Sequence, residues 1–481
     1  MATPSSVPRD EDMGQIHWPP RYDRSYVPEP GSEYWDSQAE TMAPEEREAL
    51  ILGKLGHQVR YAYENSAFYR KFWGDAGTDP SNIKSLDDFR QLPILTKDHL
   101  RREQDAHPPF GRYLCIPRER VMRIHGTSGT TGDPTLFGIG EDDWDRIAEA
   151  HARILWSAGL RPDDMVIVTS VFSAYIGSWG ALLGAERLGA MCFPFGAGAP
   201  EQTERAVDWI GYVKPTALYG TPSYALYLAA TARRMGIDPR KDFNIRLMFF
   251  SGEPGASIPS TRKEIEETFG CHVVDMGSMA EMTPWMTNSG CSHLKRGMHL
   301  WNDIVYAEML DPDTKAPTPP GTEGVPVYTH LERTSQPMIR YWSGDLARWD
   351  MEPCACGRTY PTLPDGLSGR VDDMIIVRGQ SIFPSKVEDI LRSMPEFGGE
   401  FRLIVDREQG RMDSLTVQVE VISKVYLGKS NDSEDSTLAE RRFADELRRA
   451  VGVGLKVEMK PEGEFERTQF KARRIIDKRS Y

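Results

Sequence analysis

Cysteine is scarce in this chain: six residues among 481, too few and too scattered for a disulfide framework, so a reducing compartment is expected. Long apolar runs are missing as well. Nothing approaches the ~18 consecutive apolar residues that suggest a membrane helix, and none follows Met1-Ala2-Thr3-Pro4; export and membrane insertion are set aside, and a cytoplasmic protein is expected. Positive charge is in deficit, with 58 Lys and Arg against 71 Asp and Glu and a formal net charge of -13. That balance argues against nucleic acid or an anionic membrane as the main partner, while leaving room for a local basic pocket.

What is present is a soluble globular composition, 40% hydrophobic and 27% charged, on a chain too long for one ordinary core. Residues 1–33 are rich in Pro, Asp, Glu and Ser and read as an arm. Leu50, Leu52, Leu55, Val59 and Tyr63 recur at helical spacing, which predicts one long amphipathic helix from Pro44 through Phe72. From Trp144 to Val274 helical and strand patterns alternate, with strands at Met165–Val168, Met191–Phe193, Ala217–Tyr219, Arg246–Phe250 and His272–Val274. Alternation of this kind implies crossovers and an α/β fold with a mostly parallel sheet flanked by helices. The loops at the carboxyl ends of those strands should then build the site. Near Arg370 the pattern changes again, and a short ribbon, helices at Pro384 and Leu438–Val451 and strands at Phe401–Val405, Leu415–Val421 and Lys456–Met459 predict a small, mobile α+β domain. The division expected is an arm at 1–33, a large domain at 34–370 and a small one at 371–481. Gly428 to Ser436 reads as an exposed loop.

The large domain is organised around His125-Gly126-Thr127-Ser128-Gly129-Thr130-Thr131-Gly132-Asp133-Pro134. Glycines at spacing three let backbone N–H groups turn toward phosphate oxygens, and the interleaved hydroxyls add donors or reach a metal. Arg120 to Ile124 reads as the strand that leads into it. The loop is not the lysine-bearing type, which needs Gly-Lys followed by Ser or Thr.

Ser128-Gly129-Thr130-Thr131-Gly132 with Pro134 resembles the phosphate loop of the adenylate-forming enzymes, which activate carboxylic acids with ATP. Ser251-Gly252-Glu253-Pro254 resembles the segment that lines the adenine in that group, and Tyr341-Trp342-Ser343-Gly344-Asp345 the motif whose aspartate accepts from both ribose hydroxyls. Gly369-Arg370-Val371-Asp372-Asp373 resembles the segment with a nucleotide-contacting arginine and a hinge aspartate, here Arg370 and Asp372. Phe470-Lys471-Ala472-Arg473 resembles the terminal motif with the catalytic lysine, here Lys471. Together these make the chain similar to the phenylacetate–coenzyme A ligase family from about Tyr34 to Lys478. Asp275-Met276-Gly277-Ser278-Met279-Ala280-Glu281 departs from that family's Tyr-Gly-x-Ser-Glu pattern. Gly277 replaces the aromatic residue, Ser278 the glycine and Ala280 the serine, so no ring is there to stack on adenine.

The resemblance implies nucleotide contacts from Thr127 to Gly132, Ser251 to Pro254, Asp275, Met276, Gly277, Asp345 and Arg370. Glu281 is assigned Mg²⁺, shared with Thr130 or Thr131. His125, Phe172, Tyr175, Tyr219, Gly220, Met279 and Ala280, with Trp179 and Trp285 nearby, are the candidate walls of an acid pocket, and their aromatic content suits an aryl or arylacetic acid. The implied reaction is AMP-forming: the acid and ATP give an acyl-adenylate, and coenzyme A accepts the acyl group. A carrier protein or an amine as acceptor, and a non-catalytic nucleotide-binding relative, are the alternatives; a homodimer is compatible with the sequence. Cys354-Ala355-Cys356 is a paired-thiol turn, and with Cys291 and one histidine it can close a tetrahedral zinc site; the resemblance, through similar cysteines and a Gly-Met-His segment in relatives, favours Cys291, His299, Cys354 and Cys356, with His293 as the other imidazole.

Overall fold

The computed structural model describes residues 18–127, 134–174, 177–196, 202–282, 287–371, 374–378, 380–407, 413–429, 434–465 and 474–479. Helix α1 (Pro44–Asn65) opens on proline, whose missing N–H would be unpaired there anyway, and buries Ile51, Leu55, Val59 and Ala62 along one face. The single helix expected as far as Phe72 is broken at Ser66. That residue is extended, and its hydroxyl accepts from the Tyr69 N–H to start α2 (Ala67–Asp75). Hydrophobic spacing does not register such a cap. Helix α3 spans Lys97–Ala106.

The strand read at Arg120 to Ile124 lies further along, as β1 (Arg123–Gly126), and pairs antiparallel with β2 (Leu136–Ile139) in a separate hairpin rather than in the parallel sheet. Beyond it come α4 (Glu141–Ser157), β3 (Met165–Val168), α5 (Gly177–Leu188), β4 (Met191–Phe193), α6 (Gln202–Val213), β5 (Ala217–Gly220), α7 (Pro222–Arg234), β6 (Leu247–Phe250), α8 (Pro259–Phe269) and β7 (His272–Gly277). Helix α6 was not predicted; Trp209 and Tyr212 stand exposed on it and blur its apolar stripe.

Strands β4-β3-β5-β6-β7 run parallel, and the sheet continues antiparallel through β8 (Asn288–Ser289), β9 (Met298–Leu300) and β14 (Thr362–Leu363), eight strands in all. Strands β5 and β6 are buried throughout, as a sheet covered on both faces requires. Ile167, Leu218, Met248 and Val273 enter one core with α6, α7 and α8, while their neighbours Val168, Tyr219, Phe249 and Val274 enter the larger core on the opposite face. A second, antiparallel sheet is built from β10 (Val305–Leu310), β11 (Glu323–His330), β12 (Tyr341–Trp342), β13 (Asp345–Arg348) and β15 (Gly369–Arg370).

The small domain has its own core. A ribbon of β16 (Ile375–Val377) and β17 (Gln380–Ile382) leads to α9 (Pro384–Arg392), followed by β18 (Phe397–Asp406), β19 (Ser414–Val421), α10 (Ser423–Lys429), α11 (Glu434–Val451), β20 (Lys456–Pro461) and β21 (Ile475–Asp477). The sheet order is β20-β19-β18-β21. Helices α10 and α11 enter the stretch expected as a loop from Gly428 to Ser436, leaving 430–433 between them, outside the described residues. Part of the arm is docked: Trp18 Nε1 donates to Leu331 O at 2.8 Å and Tyr22 Oη to Glu332 at 2.8 Å. Among the described residues no helix is long and apolar enough to cross a membrane.

Candidate active site

Because β3, β5, β6 and β7 are parallel, their carboxyl ends open on one edge of the sheet, where Gly220 ends β5 and Thr169, Ser251 and Ser278 follow the other three. Ser251 N donates to Gly220 O, and the Ser251 and Tyr219 hydroxyls are hydrogen-bonded, so the segments expected to line the nucleotide and the acid share a buried joint. Gly252 has φ 92, a conformation that favours glycine, and a Cβ on Gly220 would stand 2.5 Å from the Thr169 hydroxyl. Glu253 accepts from the Ser223 N–H at 2.7 Å; loss of surrounding water pushes its carboxyl above the ordinary range. Pro254 begins the turn Pro254–Ser257.

Asp275 is buried, and burial raises its carboxyl to about 6 although the Ser257 hydroxyl donates to it. Met276 is buried beside it. Gly277 has a clear physical reason: a Cβ there would lie 1.7 Å from Asn288 Oδ1. The Asn288 amide, held by Nδ2 donating to Tyr328 Oη at 3.1 Å, fills the space next to the glycine. Asn288 is a site-lining residue that the motif comparison missed.

Glu281 sits in the short turn Ala280–Met282, which packs against β1, the strand leading into the glycine-hydroxyl loop. It is buried, Lys97 Nζ lies 3.4 Å from its Oε1, and Tyr341 is hydrogen-bonded to it. Lys97 is a second missed residue. Its only signal was an unusual place for a cation, the first turn of a helix. Asp345 and Arg370 are direct register partners on β13 and β15, and Arg370 Nη1 donates to Asp345 Oδ1 at 2.8 Å. The ribose aspartate and the nucleotide arginine expected from separate motifs are thus one ion pair, linked through the Tyr341 segment to Glu281.

His125 is buried on β1, parallel to the Trp144 ring at 5.8 Å and edge-on to Trp179 at 6.3 Å. Burial lowers its pKa, and Nδ1 lies 3.0 Å from Ala174 O, so the neutral ring donates through Nδ1 and keeps Nε2 as an acceptor. Among the described residues Nε2 has no partner. Phe172 packs edge-on against Trp179 at 5.2 Å, and Met279 and Ala280 are half-buried against the large core. Thr127 closes the neck of the hairpin, its hydroxyl accepting from Thr135 N at 3.0 Å. Ser128, Gly129, Thr130, Thr131 and Gly132 lie outside the described residues, as do Tyr175, Trp285, Asp372 and Lys471.

Apart from this edge, one ligand atom each from Cys291, His299, Cys354 and Cys356 lies within 4.8 Å of the others. His293 is elsewhere, 3.9 Å from Glu33.

Known sequence families match most of the chain: AMP-binding enzyme over residues 83–329 and AMP-binding enzyme C-terminal domain over residues 379–479. The chain is 34% identical to a phenylacetate-coenzyme A ligase of Thermus thermophilus, covering 92% of this chain and 99% of that one. Among solved structures it is similar to 2-hydroxyisobutyryl-CoA ligase with 2-HIB-AMP in the postadenylation state, at 48% identity, TM-score 0.91 and 96% coverage of both chains. Against the same ligase in the thioesterification state, at 47% identity over 98% and 97% of the chains, the TM-score is 0.74.

Proposed function

The chain belongs to the AMP-binding enzymes and, among them, to the phenylacetate-coenzyme A ligase family, and from this premise we propose an ATP-dependent, AMP-forming ligase that joins a carboxylic acid to coenzyme A. The observation that carries the residue assignments is the convergence of Ser251, Asp275, Glu281 and the Asp345–Arg370 pair around the open sheet edge. In the first step a carboxylate oxygen attacks the α-phosphorus of ATP, the bond to the bridging oxygen of the β-phosphate breaks, and pyrophosphate leaves. Lys471 is assigned the charge that builds on the reacting oxygens. Asp345 accepts from the two ribose hydroxyls while Arg370 holds its carboxylate in place. Glu281, a buried carboxylate that Tyr341 and, at 3.4 Å, Lys97 approach, is assigned as a magnesium ligand, with Thr130 or Thr131 beside it. Bound magnesium would screen the triphosphate charge.

In the second step the coenzyme A sulfur attacks the acyl carbon, the carbon–oxygen bond to AMP breaks, and the thiol proton passes to solvent. The small domain, 371–481, is assigned a turn about Asp372 between the steps. The higher TM-score to the postadenylation state than to the thioesterification state of one relative supports two arrangements of the same parts. Phe172, Trp179 and Tyr219, together with relatives named for phenylacetate, support an aryl or arylacetic acid. A short branched 2-hydroxy acid is the second reading. His125 favours it, because an imidazole acceptor suits a hydroxyl and not a carboxylate, and so does the 48% identity to 2-hydroxyisobutyryl-CoA ligase. The Cys291–His299–Cys354–Cys356 cluster is assigned a structural zinc, and the free state of all six cysteines supports a cytoplasmic setting.

Acid-dependent ATP–pyrophosphate exchange over a panel of arylacetic, benzoic and 2-hydroxy acids tests the reading, with AMP release measured with and without coenzyme A. Exchange with one class, and thioester formed one-for-one with AMP, is expected. Exchange without any dependence of AMP release on coenzyme A would point to another acceptor, and no exchange at all would defeat the proposal.

A further inference from the structure

The residues nearest the thiol–imidazole cluster are the residues that hold the segment 33–47. Cys291 Sγ and Cys354 Sγ are 3.9 Å apart, and Cys356 Sγ lies 3.5 Å from His299 Nε2. A disulfide would need about 2.05 Å between sulfurs. Tetrahedral zinc, with bonds of about 2.3 Å to sulfur and about 2.0 Å to imidazole nitrogen, sets sulfurs about 3.8 Å apart and sulfur and nitrogen about 3.5 Å apart. The spacing fits the ion. Cys291, His299 and Cys356 are buried, and His299 is the register partner of Thr362, so the cluster pins the β9–β14 end of the sheet to the Cys354–Gly357 turn.

That turn is where residues 33–47 dock. Tyr34 Oη donates to Cys356 O at 2.9 Å, and a Cβ on Gly357 would stand 2.5 Å from the same hydroxyl. Arg358 donates to Glu40 Oε2 at 2.7 Å, with both side chains buried, and to Glu33 O at 2.7 Å. Arg47 donates to Thr359 O at 2.8 Å, and the Thr359 hydroxyl to Met42 O at 2.6 Å. Four consecutive residues, Cys356 to Thr359, thus meet residues 33–47.

Resting on the zinc assignment above, we infer that the ion is a clasp: by fixing the Cys354–Arg358 turn it holds residues 33–47 against the rest of the large domain. The test uses the full chain purified without added zinc. Elemental analysis should give one zinc per chain. A thiol-directed mercurial with a chelator should then release it, and amide exchange in 33–47 should rise by about tenfold or more while β3 stays protected. Zinc alone, added back after the mercurial is removed with excess thiol, should restore protection. Tyr34→Phe should raise exchange in 33–47 with the zinc retained. Stoichiometry near zero would remove the zinc reading itself. One zinc per chain with exchange in 33–47 unchanged on stripping would leave the metal site and overturn the clasp.

Discussion

Gly277 looks in the sequence like a loss, an aromatic ring deleted from a nucleotide site. In the structure the Asn288 amide occupies the space beside it. Restoring the ring alone should therefore overpack the site. Gly277→Tyr is expected to destabilise the chain by about 1–3 kcal/mol, and Asn288→Ala on that background to recover most of the loss, as read by denaturant unfolding. An additive double variant would contradict the pairing. Asp345 makes a separate prediction. Asp345→Ala removes the acceptor proposed for the ribose hydroxyls and takes from Arg370 its 2.8 Å partner, so the KM for ATP should rise about tenfold or more with the KM for coenzyme A little changed. The motifs that single out Glu281, Asp345 and Arg370 are local, and folding adds that the last two form one ion pair. Lys97 and Asn288 were not legible, since each acts on a residue brought near only by folding.

The elements that sequence reading placed well are those whose pattern is strong by itself. Strands β3 and β4 fall on the expected residues, and β5 and β6 within one residue, because short continuous apolar runs leave few alternatives. Two-residue strands such as β8, β14 and β15 have no period to read, and β1 was displaced because the hairpin partner that defines it comes after the loop. The same parallel strands deliver Asp275 to a buried edge, and this carries a pH prediction. Its folded value of about 6 lies above that of an unfolded aspartate, about 3.9. Between those values the folded chain keeps a proton that the unfolded chain has released. The stabilisation is therefore complete below about pH 4 and lost as pH rises through about 6. Asp275→Asn cannot ionise, so its midpoint temperature relative to the unsubstituted chain should rise, by about 1 °C per kcal/mol for a chain of this length, between pH 4 and pH 7.5. A difference independent of pH would contradict the burial argument.

At the scale of the whole molecule the question is how two chemistries share one edge. The small domain leans on the large one through Asp389, which accepts from the Ser260 hydroxyl at 2.8 Å and its N–H at 3.3 Å, and through Ser385, whose hydroxyl donates to Ser368 O at 2.6 Å. These contacts belong to the arrangement that resembles the postadenylation state. Asp389→Ala should therefore slow pyrophosphate exchange by about 2- to 10-fold, the worth of such hydrogen bonds, with thiol transfer slowed less. The two-domain division was visible in the change of pattern near Arg370, but nothing in the sequence gave the faces on which the domains meet. The most direct measurement is single-turnover kinetics of Lys471→Ala in the two half-reactions. Adenylate formation should collapse while transfer from a supplied acyl-adenylate to coenzyme A persists; equal loss in both steps, or no loss in either, would contradict the assignment of that lysine and the moving-domain account built on it.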